Sequence, residues 1–120
     1  VTRLPDGTPL LATNEHSHVQ AAIVESPSGG SYWATQYHPE YNLHEMGRLI
    51  AARAKALVRE GFFVDEDAVA VYAAKMRDLA ANPDNADLRA DLKVGDDIID
   101  PAIRQVELRN WLRFVEARAK

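Results

Sequence analysis

Four histidines, His16, His18, His38 and His44, all fall in the first 44 positions of a 120-residue chain. Histidine exchanges protons near neutral pH and binds metals, so this clustering is where chemistry would concentrate. Three arrangements compete. In the first, His16 and His18 share one face of an extended strand. His38, Glu40, His44 and Glu45 would then complete a nitrogen and carboxylate set suited to zinc or iron. The spacing matches no metal-binding motif, so no metal and no cofactor is expected. In the second, Ser28-Gly29-Gly30-Ser31 is a short Gly-rich loop. A phosphate loop should open a helix, whereas a β-prone segment follows, so a hairpin turn is expected. In the third, His38-Pro39-Glu40 is an acid–base pair. Pro39 fixes its own φ and pushes His38 toward extended backbone. Residues i and i+2 of an extended segment point the same way, so the Glu40 carboxylate accepts a hydrogen bond from one imidazole nitrogen of His38. The other nitrogen is then free to take a proton from a nucleophile.

The elements that must position these side chains change character near residue 41. Leu10 to Thr13, His18 to Glu25 and Ser31 to Tyr37 read as strands, the last two joined by the turn cluster Ser26-Pro27-Ser28-Gly29-Gly30. From Asn42 the period becomes helical. Asn42 is a cap with Glu45 three residues later, Leu43, Met46, Leu49, Ile50, Leu57 and Val58 form a stripe, and Gly61 is a stop. Asp65 opens a second helix with Val69, Tyr72, Met76 and Leu79 inward, ending near Asn82-Pro83. A short helix is expected over 84–92. A last one starts at Asp100-Pro101, with Ile103, Val106, Trp111, Phe114 and Val115 apolar.

Composition bounds the function classes. With 14 Lys and Arg against 18 Asp and Glu, the net charge is −4. Such a chain has no global basic field to hold phosphates, so nucleic acid is not an expected partner. Hydrophobic residues at 47% and charged residues at 27% describe a globular domain. No apolar run approaches a membrane span, so no membrane partner is expected. There is no cysteine, which removes disulfides, thiolate-zinc sites and a cysteine nucleophile from this chain and fits a cytoplasmic location.

Gln36-Tyr37-His38-Pro39-Glu40-Tyr41 resembles the signature of the class I glutamine amidotransferases, the Cys-His-Glu enzymes. Asn14-Glu15-His16-Ser17-His18-Val19-Gln20-Ala21 resembles the segment that precedes the family's final hairpin, and a helix follows the motif where the family has one. The resemblance spans about residues 8–60. It implies an α/β fold: the C-terminal portion of an open-sheet, flavodoxin-like glutaminase domain over residues 1–61, hairpin then helix. An α-helical extension over 62–120 would pack on it. It also implies that His38 is the catalytic base and Glu40 the residue that orients it. In the family a cysteine thiolate attacks the side-chain amide of glutamine, ammonia leaves, and water hydrolyses the thioester.

The departure from the family is the nucleophile, which lies upstream in a Gly-x-Cys-x-Gly turn that this chain lacks. The chain opens at Val1 on the turn-rich Pro5-Asp6-Gly7-Thr8-Pro9. It is therefore expected to be part of a longer protein whose N-terminal half carries the cysteine. By itself it is expected to be inactive. Glutamine is the expected substrate, and an ammonia-accepting synthetase or a homodimer mate the expected partner. Phe62, Phe63, Trp111 and Phe114 would either pack on the same domain or form that docking surface. A γ-glutamyl hydrolase of the same superfamily and a non-catalytic interaction module are the alternatives.

Overall fold

A computed structural model describes residues 3–119; Val1, Thr2 and Lys120 lie outside the described residues. The chain is mixed α and β and divides into two compact units, Val1–His38 and Pro39–Lys120. Among the described residues no helix is long and apolar enough to cross a membrane.

The first unit is a three-stranded antiparallel sheet in the order β1 (Leu10–Ala12), β2 (Ala21–Glu25), β3 (Ser31–Thr35). The hairpin is regular. Ala21 pairs with Thr35, Ile23 with Trp33 and Glu25 with Ser31. Its turn closes where the Ser-Pro-Ser-Gly-Gly cluster predicts: the Gly29 amide donates to the Ser26 carbonyl at 2.9 Å, and Gly29 takes φ of 87°, which costs a side-chain-free residue nothing. A strand follows, not a helix, so the Gly-rich loop is a hairpin turn. Across the turn the Ser31 hydroxyl donates to Glu25 at 2.9 Å and accepts from the Trp33 indole at 3.1 Å. Val19, Ala21 and Ala22 are the buried residues of this unit among the described residues. One sheet face is thinly covered. Ala22, Val24, Tyr32 and Ala34 line a cavity of about 340 Å³ whose other wall includes Leu4 and Pro5.

The second unit is built on two helices. In α1 (Leu43–Ala52), Leu43 and Gly47 are buried. The helix breaks at Arg53 and resumes as α2 (Ala54–Arg59), where the sequence pattern predicts one uninterrupted element. Gly61, at φ of 82°, ends it in a Schellman turn: Phe62 N donates to Leu57 O and Gly61 N to Val58 O, both at 3.0 Å. α3 (Glu66–Ala81) is capped by Asp65, whose carboxylate accepts from the Ala68 amide at 2.7 Å, with Glu66 and Asp67 in the first turn complementing the helix dipole. It buries Val69, Ala73, Met76 and Leu79, a stripe at helical spacing.

α1 and α3 cross closely because Gly47 has no side chain. A Cβ there would lie 2.9 Å from the Ala73 carbonyl oxygen and 3.1 Å from Arg77 Cγ. Leu43, Met76, Leu79 and Leu92 form the core cluster, with Met46, Ile50, Tyr72 and Leu88 packed around it. α4 (Ala86–Leu92) ends with Lys93 in the left-handed region at φ of 54°, making the same two turn bonds, Val94 N to Arg89 O and Lys93 N to Ala90 O. A short α5 (Asp96–Ile99) then precedes the Pro101 helix start. That helix is itself broken at Gln105 into α6 (Pro101–Arg104) and α7 (Val106–Arg118). Of the tail aromatics, Phe63 packs on Tyr72 with ring centroids 5.5 Å apart, whereas Phe62 and Trp111 stay exposed.

Two stability changes follow from these backbone positions. Gly47→Ala gains helix propensity worth about 1 kcal/mol but drives a methyl into a backbone oxygen. The expected net effect is a loss of about 1–2 kcal/mol in urea unfolding; a more stable variant would show that the helices separate freely. Lys93→Gly relieves a left-handed β-carbon and should stabilise by roughly 0.5–1 kcal/mol in the same assay.

Candidate active site

The Gln-Tyr-His-Pro-Glu-Tyr segment begins directly where β3 ends at Thr35. Its first residue is held on several sides. The Gln36 amide donates to the Gln20 carbonyl at 2.8 Å, and the Gln36 side chain donates to the Val19 carbonyl at 2.9 Å and lies 3.4 Å from the Ser17 hydroxyl. The Thr35 hydroxyl reaches over to the Tyr37 carbonyl at 2.9 Å. Backbone polar groups at the end of the sheet are thereby satisfied, as burial requires.

These bonds tie the motif to the loop that bears His16 and His18. That loop is organised by one side chain. Asn14 Oδ1 accepts from the amides of His16 at 3.0 Å and Ser17 at 2.8 Å, and from Gln20 Nε2 at 3.3 Å. Asn14 N in turn donates to the Ser17 carbonyl at 3.2 Å, closing an Asx-type turn. The two segments that carry the sequence resemblance are thus bonded to each other within the first unit. The roles of Asn14 and Gln36 did not stand out in the sequence. The Asn-x-x-Ser spacing of an Asx turn was the available signal for Asn14. Gln36 had none, because its acceptor is a backbone carbonyl distant in sequence.

His38 is exposed, Pro39 is buried, and Glu40 is exposed. The backbone departs here from expectation. Instead of running extended, it bends at Gln36–Tyr37 and forms a turn at Pro39–Glu40. The physical reason is Pro39 itself: a fixed φ near −65° suits the second position of a turn as well as a strand end, and the α1 cap Asn42 stands two residues beyond Glu40. His38 and Glu40 stand on either side of the buried Pro39 at this turn.

Beyond the turn, Asn42 takes φ of −95° and ψ of 173° and caps α1. The capping box is complete: Glu45 N donates to Asn42 Oδ1 and Asn42 N to Glu45 Oε2, each at 2.9 Å. The Glu45 carboxylate is thus engaged at the helix start rather than offered to a metal. His44 is exposed on the first turn of α1. With Asn42, Leu43, Leu79, Pro83 and Arg104 it borders a cavity of about 270 Å³ in the second unit. The Arg104 guanidinium is held by the end of α5, donating to the Ile98 carbonyl at 2.7 Å. Among the described residues no group of three or more His, Asp or Glu side chains is arranged to hold a metal ion.

The capping box generates a direct test. Asn42→Ala should cost about 1 kcal/mol in chemical unfolding and raise hydrogen exchange in the first turn of α1, whereas Asn42→Asp should be nearly neutral. Equal stability of the alanine variant would show that the turn, not the cap, starts the helix.

No protein-family model, no curated protein and no solved structure matches this chain.

Proposed function

We propose that this chain is the C-terminal part of a class I glutamine amidotransferase-like enzyme, an open-sheet glutaminase domain of flavodoxin type with a helical extension. The observation that carries the reading is local order. A hairpin strand ends at Thr35, Gln-Tyr-His-Pro-Glu-Tyr fills the connector, and a fully capped helix starts at Leu43. The bonding of that connector to the Asn14–Gln20 loop supports it further, since both segments carry the resemblance.

In this reading a cysteine from outside residues 1–120 supplies the nucleophile. His38 takes the thiol proton, and the thiolate attacks the side-chain amide carbon of glutamine. The carbonyl π electrons move to oxygen; when they return, the C–N bond breaks and His38 gives the proton to the departing ammonia. His38 then takes a proton from water, which attacks the thioester and frees glutamate and the thiol. Glu40 holds the imidazole and stabilises its cation. The ammonia passes to an acceptor in a synthetase domain or partner. A cytoplasmic location, which keeps thiols reduced, fits this reading.

The test is glutamate release from glutamine by the gene product extended upstream of Val1. His38→Ala should lower kcat by about three orders of magnitude and Glu40→Gln by less, with folding intact by circular dichroism. The 120-residue chain alone, having no cysteine, should release none. Turnover by the short chain, or a fully active His38→Ala enzyme, would sink the proposal.

A further inference from the structure

The C-terminal helix is amphipathic but buries nothing. None of the 13 residues of α7 is buried. Its apolar side chains stand in solvent: Leu108 is 38%, Trp111 42%, Leu112 51% and Val115 42% exposed. At about 100° per residue these four share one face, while Asn110, Arg113 and Ala117 lie on the other. A helix this short is marginal in water without something against its apolar face.

The charges beside the stripe indicate what covers it. Glu107 and Arg118 flank one side, Arg109 and Glu116 the other. Each flank thus carries one acid and one base at opposite ends of the helix. In an antiparallel helix pair, like flanks face each other. Glu107 of one copy then meets Arg118 of the next, Arg109 meets Glu116, and Trp111 packs beside Phe114. Arg118 lies over the Phe114 ring at 4.3 Å, which keeps its guanidinium beside the stripe. Antiparallel pairing also opposes the two macrodipoles and sends the two helical bodies to opposite ends. We propose that α7 is a homodimerisation helix that pairs antiparallel with α7 of a second copy of this chain, its register set by Glu107–Arg118 and Arg109–Glu116.

One short helix pair buries less than a standard interface, so the dimer should be weak, with Kd on the order of micromolar to hundreds of micromolar. Sedimentation velocity of the whole 120-residue chain across that range should show a concentration-dependent shift from monomer to dimer. Arg109→Glu places like charges together twice in the symmetric pair and should weaken Kd by about tenfold or more. Adding Glu116→Arg should restore it. Because α7 buries no residue of its own, these variants should keep their helicity by circular dichroism. Direction is read by single cysteines in a chain that has none. Leu112→Cys sits next to the two-fold axis and should oxidise to a linked dimer. Leu108→Cys is separated from its copy by about 13 Å along the axis at 1.5 Å per residue and should not. A monomer at every concentration, a dimer indifferent to Arg109→Glu without rescue, or faster cross-linking at position 108 would each overturn the proposal.

Discussion

The close crossing of α1 and α3 is the constraint on which the helical unit depends. Gly47 lets the Ala73 carbonyl come within 2.9 Å of where a β-carbon would be, and Ala73 is itself fully buried. Small residues on both helices bring the backbones together. That closeness lets Leu43, Met76 and Leu79 meet Leu92 in one dry cluster. The core is small, so packing at this one crossing carries much of the burial that offsets the cost of ordering the chain. Two features flank the crossing. Lys75 bonds Asp91 at 2.7 Å, joining α3 to α4, and Arg89 pairs with Asp96 just beyond α4. Both pairs are largely solvent-facing and add little next to the buried contact.

The candidate site is assembled by different means. No residue of the His-Pro-Glu segment other than Pro39 is buried, so apolar packing does not hold it. Polar side chains satisfy backbone groups on either side of it: Asn14 and Gln36 on the strand side, Asn42 and Glu45 at the helix start. Such bonds are individually modest, about 1 kcal/mol each, but they are directional and fix position more sharply than apolar contact does. His38 and Glu40 are exposed, and the chemistry proposed for them requires a nucleophile from another segment.

Two of the exposed apolar surfaces stand out. One is the sheet face around Tyr32, exposed to 69%; the other is α7. A three-stranded sheet with one thinly covered face gains limited burial, and a helix with no buried residue gains still less. The two differ in what marks them. The sheet face is apolar and carries no pattern that names an occupant. The α7 stripe is bracketed by charges of alternating sign and order, and that pattern is complementary to itself.

Much of the local structure was legible in the residues. Asn42 with Glu45, Asp65 before an apolar stripe, Gly61 as a stop, the Ser-Pro-Ser-Gly-Gly turn and the Asp100-Pro101 start each appear where their chemistry puts them. Caps and turns are satisfied within a few residues, so sequence alone suffices to locate them. The His-Pro-Glu motif, its place between a strand and a helix, and the absence of a cysteine were equally plain. Tertiary structure decided the rest. The breaks at Arg53 and Gln105 interrupt stripes that the residues alone continue, and the pairing of Gln36 with Val19 and the near contact at Gly47 depend on partners distant in the chain. So does the fate of the apolar stripes. The periodicity of α3 and that of α7 look alike, yet one is buried and the other is not, because a stripe states only that a helix has a face to cover and not what will cover it.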